Sequence, residues 1–510
     1  VNDISDLSNR FGDGAKRAMQ AGADGIQLLA GMGYLHAQFL SRSVNQRNDR
    51  YGGSLENRSR FLVETLAEVR KSTGDDFIVG IRIAAEEYDP DGMQLDETLE
   101  VCTRLEKLGL VDYLDICAAG THGLVGSSHI VPSMFVQTGQ TLPYSEAVKR
   151  AVKVPVFTCG RLNQPQEAER AVANGQADMI GMVRALIADP EFIEKSREDR
   201  PEHIRACIAC NQACIGHRLK GYGVSCIQHP ETGRESEFGE LVPAAMPKTV
   251  AVVGGGPAGM KAAVTAARRG HQVKLYEKSV RLGGQVLLAE KLPGRSEFGG
   301  VITNLESELE RYGVDVFTAT EMDGSKLQAS GADVVVIATG ALPRKPPESV
   351  NLNNAVCAWD VIQATRTIGQ QVVVADFRCD WVGLGVAEKL AADGHSVRLY
   401  VNGEMAGQTV QRYVRYQWIG RLHSLGVEVT PYARLYGSDE DSVFFQHVIT
   451  GEPIVAGDVD TLVYALGHES SNPQSHFSGL EAPLQIAGDC LSPRTVEEAV
   501  LEGLRAGVAV

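Results

Sequence analysis

The chain has 510 residues, enough for about three domains. It is 44% hydrophobic and 22% charged, as globular proteins are, and its net charge of -15 argues against nucleic acid or an anionic membrane as a partner. No apolar run reaches the roughly 18 residues of a membrane span, and the first residues lack the apolar core of a secretory signal. Ten cysteines are too few for a disulfide scaffold, so we expect the protein to work in a reducing cytoplasm.

Helices and apolar strands alternate through the first part of the chain. The patterns predict helices over 3–21, 57–72, 95–109, 144–152 and 165–174, and strands over 25–29, 77–83, 112–117, 154–159 and 178–183. Apolar strands alternating with helices indicate a parallel sheet. The rhythm is that of a (β/α)8 TIM barrel, but only five strands are present and a whole barrel needs about 250 residues. We therefore predict an incomplete barrel without its first three βα units; the alternative is a small open α/β sheet.

Glycines and arginines follow the last two predicted barrel strands. Gly160 and Arg161 come after one strand, and Gly181 and Arg184 lie at the end of the next. Loops at these positions favour phosphate, and two guanidinium groups suit a phosphomonoester such as that of FMN. Arg82, at the end of an earlier strand, would point to the same barrel mouth and could stabilise a reduced flavin anion. Taken singly, each arginine is better explained by a surface ion pair.

Four cysteines follow the predicted barrel with the spacing C-x2-C-x3-C-x11-C: Cys207, Cys210, Cys214 and Cys226. Four thiolates within one short segment suit an iron–sulfur cluster. Zinc sites more often have two separated C-x2-C pairs, whereas here the fourth cysteine stands alone. The spacing therefore favours an iron–sulfur cluster over zinc and over four unrelated buried thiols.

A dinucleotide-binding unit begins after a polar linker at 231–248. A strand runs into Gly254, Gly256 and Gly259, which in this order make the turn, admit a pyrophosphate and let the following helix pack closely. Glu277 ends the next strand and can accept a hydrogen bond from a ribose hydroxyl of FAD or NAD. Later turns add further candidate contacts to FAD: Gly284, Gln285, Thr339, Gly340 and Asp489.

A second strand–loop–helix unit, predicted from residue 371 onward, lacks the glycines of the first. Bulky Phe377 and Trp381 occupy its loop, and Asp376 and Asp380 would repel phosphate. We predict that this unit does not bind a nicotinamide cofactor in the usual way; the alternative is a rewired loop that still binds one.

These patterns predict five segments. They are a partial FMN-binding TIM barrel (1–200), an iron–sulfur segment with a linker (201–247), the first part of an FAD-binding domain (248–350), an inserted NAD(P)-like domain (351–465) and the last part of the FAD-binding domain (466–510).

Together the motifs resemble a family of multi-domain flavoenzymes that contains 2,4-dienoyl-CoA reductase, trimethylamine and histamine dehydrogenases, and N-methyl amino-acid demethylases. The barrel half looks like old yellow enzyme, on the evidence of segments 33–61, 79–83, 159–165 and 181–190. The resemblance implies FMN in the barrel, a [4Fe–4S] cluster on the four cysteines, and FAD or ADP in the C-terminal domains. The FMN contacts that the family places in the first three βα units are absent here.

The same resemblance implies two catalytic residues. Tyr34 matches the proton-donor tyrosine of the reductases, and His122 matches the catalytic histidine of dienoyl-CoA reductase. Leu29 and Met32 stand where the family holds a substrate carbonyl. Tyr34 is equally explained as a core aromatic residue, and His129 is an alternative to His122.

Three functions fit the sequence. The first is oxidative demethylation of a small N-methylated amine or amino acid, with hydride transfer to FMN and electrons leaving through the cluster to FAD or to an electron-transfer flavoprotein. The C-terminal segment 488–507, which is most similar to the demethylases, favours it. The second is an NAD(P)H-dependent dienoyl-CoA or enoate reductase that uses Tyr34 and His122. The third is a non-catalytic fragment that keeps only the cluster and FAD.

Overall fold

The computed structural model describes residues 2–351, 353–471, 477 and 479–510. The chain forms two compact units, Val1–Leu186 and Ile187–Val510. The boundary between them falls inside the first predicted segment, and the finer division into five segments stays a prediction. None of the described helices combines the length and the apolar character needed to cross a bilayer.

Five parallel strands form the sheet of the first unit and follow one another across it in sequence order. They are β1 (Gly25–Ala30), β2 (Ile78–Ala84), β3 (Tyr113–Cys117), β4 (Val156–Thr158) and β5 (Met179–Ile180). This order is that of a TIM-barrel arc, because a doubly wound open sheet reverses direction at a switch point. The predicted barrel-type fold, with five strands among the described residues, is therefore confirmed over the open-sheet alternative.

Seven helices of the first unit accompany these strands. They are α1 (Asn2–Gln20), α2 (Leu35–Leu40), α3 (Leu55–Thr73), α4 (Leu95–Lys107), α5 (Leu124–Ile130), α6 (Leu142–Ala151) and α7 (Pro165–Ala173). The sequence patterns missed α2 and α5, which are short and have no side-chain cap at the N-terminus. In α3, Leu62, Leu66 and Val69 recur at helical spacing and are fully buried in the core over the sheet.

The remaining elements belong to the rest of the chain. The strands are β6 (Thr249–Val253), β7 (Gln272–Tyr276), β8 (Asp315–Phe317), β9 (Val334–Ile337), β10 (Ala341–Pro343), β11 (Ala355–Cys357), β12 (Gln371–Asp376), β13 (Ser396–Val401), β14 (Glu428–Thr430), β15 (Ala433–Ser438), β16 (Val443–His447), β17 (Pro453–Ala456), β18 (Thr461–Ala465), β19 (His468–Ser470) and β20 (Leu484–Ile486). The helices are α8 (Arg184–Ala188), α9 (Phe192–Arg197), α10 (His217–Lys220), α11 (Glu235–Phe238), α12 (Pro257–Arg268), α13 (Val286–Ala289), α14 (Gly300–Arg311), α15 (Gly324–Ala329), α16 (Ala358–Gln363), α17 (Trp381–Ala392), α18 (Arg412–Ser424) and α19 (Val496–Ala509).

The second unit contains two Rossmann-like parallel sheets, one inserted into the other. The first has the order β20-β9-β6-β7-β8 and the second the order β11-β18-β12-β13-β14. The chain leaves the first sheet after β9, builds the second sheet and a three-stranded antiparallel sheet, and returns as β20. The outgoing β10 and the returning β19 pair antiparallel, so the two connections run side by side. The predicted Rossmann-like second half is thus confirmed.

A buried ion pair ties the segment after the cysteines to the first of these sheets. Lys261, fully buried on α12, donates a 2.9 Å hydrogen bond to Glu231. Burial alone would raise the pKa of Glu231, but the charges of Lys261, His229 and Arg205 outweigh it and lower the pKa to about 2. A buried carboxylate with such partners is stable only while the partners remain.

Replacing Lys261 with alanine should lower the free energy of unfolding by about 3–5 kcal/mol, since Glu231 is then left buried without its cation. Urea denaturation followed by circular dichroism measures the loss, with Lys291→Ala, at an exposed lysine, as the matched control. Because the folded pKa of Glu231 lies below its ordinary value of 4.5, the wild type should lose this contribution as the pH falls from 4.5 toward about 2. Equal stability of the two variants at neutral pH would contradict the assignment.

Candidate functional site

The glycine-rich loop joins β6 to α12, and each of its three glycines has a different surrounding. Gly254 has a φ of +108° and makes the turn. A Cβ on Gly259 would lie 1.9 Å from the carbonyl oxygen of Gly254, so only glycine allows the helix to come this close to the strand. A Cβ on Gly256 would meet nothing within 4 Å. The loop therefore leaves open space beside Gly256, at the N-terminus of α12, where a pyrophosphate can approach.

Glu277 lies directly after β7, next to this loop. Its two carboxylate oxygens accept hydrogen bonds from the backbone N–H groups of Gly255 and Ser279, both at 2.7 Å. Each oxygen keeps a second lone pair, so the fixed carboxylate can still accept from a ribose hydroxyl. The residue thus fits the role predicted for it.

The later candidates for FAD converge on the same edge of the first Rossmann-like sheet. Gln285 donates a 2.7 Å hydrogen bond to Asp489, although the two residues are 204 positions apart. The hydroxyl of Thr339 lies 2.8 Å from that of Ser471. Gly284 packs against the glycine loop, since a Cβ there would lie 3.2 Å from the Cα of Gly256, and Gly340 follows Thr339 with a φ of +76°. The donor set and the open loop fit FAD.

The corresponding position of the inserted sheet, between β12 and α17, is filled by the chain itself. Asp380 accepts a 2.9 Å hydrogen bond from the N–H of Val382 and so caps the N-terminus of α17. Asp376, at the end of β12, accepts from the N–H of Cys379 at 2.9 Å, and a Cβ on Gly383 would lie 2.3 Å from its carboxyl group. The amide groups that would receive a pyrophosphate are occupied by the protein's own carboxyl groups.

The sequence suggested that Asp376 and Asp380 keep phosphate away from this loop by charge repulsion. The structure shows a different obstacle. Burial raises the pKa of Asp376 well above its ordinary value, the charge of Asp380 raises it further, and burial also raises the pKa of Asp380. Both shifts reflect carboxyl groups that are enclosed by protein instead of solvent. What closes the loop is therefore the space and the hydrogen bonds that the two side chains take up.

The four cysteines lie in a loop whose backbone is bent around them. Ala209 and Asn211 flank Cys210 with φ values of +50° and +59°, and a single π-helical turn, Gln212–Gly216, carries Cys214. Among the described residues, no three His, Cys, Asp or Glu side chains are arranged to hold a single metal ion.

The four thiols nevertheless act on one another. Burial raises the pKa of Cys210 well above its ordinary value, and the charges of the other three cysteines raise it further. Burial raises the pKa of Cys226 to about 11, again with contributions from cysteines of the group. Backbone N–H groups of Gln212, Gln228 and His229 donate to these two sulfurs. Two buried thiols that receive amide hydrogen bonds and lie near the other two cysteines fit an iron–sulfur cluster.

The barrel arginines lie near or after the carboxyl ends of β2, β4 and β5. Arg82 of β2 contacts Asp115 at 3.1 Å and the sulfur of Cys159, and its Nε is buried without a hydrogen-bond partner. Arg161 donates to the carbonyl of Val136 and Arg184 to that of Pro132, at 2.7 Å for the second. The structure thus brings both guanidinium groups to one loop.

Two details differ from the predicted positions. The last strand, β5, ends at Ile180, so Gly181 follows it and Arg184 begins the helix α8 instead of ending the strand. Gly160 lies against Thr141, since a Cβ on it would be 2.3 Å from that hydroxyl. The strand is shorter than its sequence pattern because only two of its residues pair with β4.

Tyr34 and His122 lie on loops that touch at the same end of the sheet. Gly33 precedes Tyr34 and Thr121 precedes His122, and a Cβ on Gly33 would lie 1.9 Å from the hydroxyl of Thr121. Tyr34 is 59% exposed and is therefore not a core aromatic residue. His122 Nε2 lies 3.6 Å from Glu87 Oε2 and 3.4 Å from Asp89 Oδ2.

His129, the alternative to His122, is held differently. Its ring lies 4.3 Å from that of Tyr88, and its Nδ1 is 2.9 Å from the carbonyl oxygen of Val125. His122 is thus the histidine of this loop that faces carboxylates.

Sequence reasoning missed several residues that hold these sites. Arg205 pairs with Glu308 of α14, and Asn304 of the same helix donates a 2.6 Å hydrogen bond to Gln228. The helix α14 therefore contacts the cysteine loop at both ends of that loop. Arg295, buried near the cluster loop, was also missed. No local pattern marks these residues, because their partners lie far away in the sequence.

Known proteins share both halves of the chain. Residues 1–203 match the NADH:flavin oxidoreductase / NADH oxidase family, and residues 248–487 match the pyridine nucleotide-disulphide oxidoreductase family. N,N-dimethylglycine/sarcosine dehydrogenase of Chromohalobacter salexigens is 33% identical over 545 residues, covering 97% of this chain and 78% of the relative. NADH oxidase of Thermoanaerobacter brockii is 38% identical over 403 residues, covering 78% of this chain and 61% of the relative.

Solved structures agree with this result. The structure of 2-naphthoyl-CoA reductase in complex with 2-naphthoyl-CoA has a TM-score of 0.92 and 30% identity, covering 99% of this chain and 76% of the other. A flavin-type barrel followed by a dinucleotide-binding fold defines a flavin-dependent oxidoreductase. The chain belongs to the NADH:flavin oxidoreductase / NADH oxidase family.

Replacing Gly256 with alanine should weaken FAD binding without harming the fold. With a φ of -77°, Gly256 has a backbone that alanine also adopts, and its Cβ would project into the open space that a bound pyrophosphate would need. We expect FAD affinity to fall by about tenfold or more, the loss of about 1.4 kcal/mol of binding energy. FAD titration of the flavin-stripped protein, with thermal unfolding in parallel, measures both effects.

Two further variants frame this result. Gly420→Ala, in open space on α18, should change neither property, whereas Gly259→Ala should lower the unfolding temperature because its Cβ meets the loop backbone. FAD affinity of Gly256→Ala equal to that of Gly420→Ala would refute the assignment of this loop.

Proposed function

We propose that this chain is a dehydrogenase that oxidatively demethylates a small N-methylated amine or amino acid. The reaction removes a hydride from an N-methyl carbon, which leaves an iminium ion. Water then adds to the iminium ion and releases formaldehyde and the demethylated amine. The hydride carries two electrons and one proton, and the addition of water releases a second proton, so each turnover yields two electrons and two protons.

The observation that carries this proposal is the filled loop of the inserted sheet. Asp380 caps α17 and Asp376 occupies the space before Gly383, so a nicotinamide dinucleotide has no place for its pyrophosphate there. Without that donor, electrons must enter from a substrate at the barrel. The likeness to N,N-dimethylglycine/sarcosine dehydrogenase over 97% of the chain supports the same direction of electron flow.

The proposed cofactors are FMN, a [4Fe–4S] cluster and FAD. When bound, FMN supplies hydride acceptance and the cluster supplies one-electron transfer. The chain's own residues would hold them: Arg82, Gly160, Arg161, Gly181 and Arg184 for FMN, the cysteines 207, 210, 214 and 226 for the cluster, and the loop of Gly254, Gly256 and Gly259 with Glu277, Gly284, Gln285, Thr339, Gly340 and Asp489 for FAD. An electron-transfer flavoprotein is the proposed external acceptor.

His122 is the proposed base. A substrate ammonium must lose its proton before hydride can leave, because the nitrogen lone pair drives the expulsion of hydride. The imidazole of His122, with Glu87 and Asp89 on one side, can take that proton and keep its positive charge balanced. Glu87 is itself fixed by 2.7 Å hydrogen bonds from Ser41 Oγ and Met93 N.

A reductase is the second candidate, and the neighbouring loops of Tyr34 and His122 favour it. An exposed phenol on a loop that touches the loop of the imidazole can protonate a substrate carbanion. The NADH oxidase and naphthoyl-CoA reductase relatives fit this alternative. The two candidates differ in what reduces the protein.

Anaerobic mixing of the reconstituted holoenzyme with electron donors separates them. We expect dimethylglycine, sarcosine or N-methylproline to bleach the flavin absorbance at about 1–1000 per second, typical of enzyme turnover, and to release formaldehyde. NADH and NADPH should bleach it far more slowly, because the inserted loop is closed. Rapid bleaching by either nicotinamide, with none by the amines, would overturn the demethylase in favour of the reductase.

Replacing one cluster cysteine should remove the iron. Reconstituted wild type should contain about four iron and four sulfide per chain, the content of one [4Fe–4S] cluster, and Cys214→Ala should contain little of either. Cys357→Ala, a buried thiol at the end of β11, is the matched control and should keep the full content. Wild type free of acid-labile sulfide would rule out the cluster.

A further inference from the structure

Arg295 is a buried cation surrounded by aromatic rings. Only 3% of the residue is exposed, and its guanidinium carbon lies 4.3 Å from the ring centre of Phe298, 4.7 Å from that of Trp381 and 5.4 Å from that of Trp418. Such distances give cation–π attraction on several sides. We call Phe298, Trp381 and Trp418 the aromatic cage.

The charge of Arg295 has no direct partner among the described residues. No carboxylate lies within 4.0 Å of it, and its Nε and Nη2 are buried without hydrogen bonds. Burial lowers its pKa to about 10, so it stays protonated at neutral pH. A buried cation that is neither paired nor hydrogen-bonded is costly, and native proteins keep one where its charge is used.

The cysteine loop is close to Arg295 and would carry negative charge once a cluster is bound. The charge of Cys210 acts on Arg295, ahead of those of Asp380 and Glu388. The segment after Arg295 also packs on that loop, since a Cβ on Gly300 would lie 3.0 Å from the side chain of Ile208. Four thiolates around a [4Fe–4S] core leave it negatively charged, and each added electron makes it more so.

Trp381 gives the cage a link to the closed nucleotide loop. It is the first residue of α17, directly after Asp380, in the position where a dinucleotide-binding loop would have small residues. Its ring stacks at 6.4 Å from that of Phe298, with Arg295 against both. Trp381 therefore holds the guanidinium from the first turn of the helix that Asp380 caps.

We propose that Arg295 is the counter-charge that raises the reduction potential of the cluster, and that Trp381 positions it, so that the loop that no longer binds a dinucleotide serves the cluster instead. This proposal rests on the proposed function only in requiring the [4Fe–4S] cluster. Arg295 favours the reduced state because its positive charge is attracted more strongly once the cluster gains an electron. The caged, low-dielectric position keeps that attraction from being screened.

The test is a redox titration of the reconstituted holoenzyme followed by the electron paramagnetic resonance signal of the reduced cluster. Arg295→Gln removes the charge and should shift the equilibrium at least tenfold toward the oxidised cluster, a fall of 59 mV for a one-electron couple. Arg295→Lys keeps the charge and should restore most of the potential. Arg311→Gln, at an exposed arginine that ends α14, is the matched control and should match the wild type.

Trp381→Leu tests the cage with the charge intact and should lower the potential by less than Arg295→Gln does. If Arg295→Gln does not keep its iron, the comparison of Arg295→Lys, Trp381→Leu and wild type decides: a Trp381→Leu potential equal to that of the wild type overturns the proposal. Iron-loaded Arg295→Gln with an unchanged potential overturns it as well, and leaves the demethylase standing. Wild type without iron or sulfide would instead remove the cluster on which both depend.

Discussion

The ion pairs that fix the two ends of the cysteine loop are the constraint on which the second unit depends. Half-buried Arg205 pairs with half-buried Glu308, and fully buried Lys261 pairs with buried Glu231. Each pair is destabilised when one partner is lost. The loop itself has little regular structure, with left-handed residues and one π-helical turn, and cannot hold four thiols together by backbone pairing alone. The surrounding α/β fold supplies the rigidity that the loop lacks.

The two Rossmann-like sheets differ in what lies at the N-terminus of the helix after β6 and of the helix after β12. The first keeps its glycines and leaves room beside Gly256, whereas in the second a carboxyl group caps the helix that would face the pyrophosphate. The first helix leaves its N-terminal N–H groups for a ligand, whereas the second satisfies them with a side chain. Duplicated architecture therefore does not imply duplicated binding.

Local patterns in the sequence predicted much of this molecule. The glycine loop and the strand rhythm each depend on residues close together in the chain, and the structure places them as expected. The cluster that the cysteine spacing predicts stays a prediction. Arg295 and its cage could not be predicted, because Phe298, Trp381 and Trp418 come from separate elements and meet only through tertiary packing. The short helices α2 and α5 were not predicted because six or seven residues are too few to show a helical period.

The paired strands β10 and β19 have a consequence for the history and the engineering of this fold. Because Ala341 lies opposite Ser470, the ends of the inserted domain are adjacent, and a short turn between them would close the host domain without it. Such neighbouring ends are what one domain needs to be transplanted into another. In this chain, removal of the inserted domain would destabilise the host domain, since Trp381 and Trp418 of the inserted domain shield Arg295 from water.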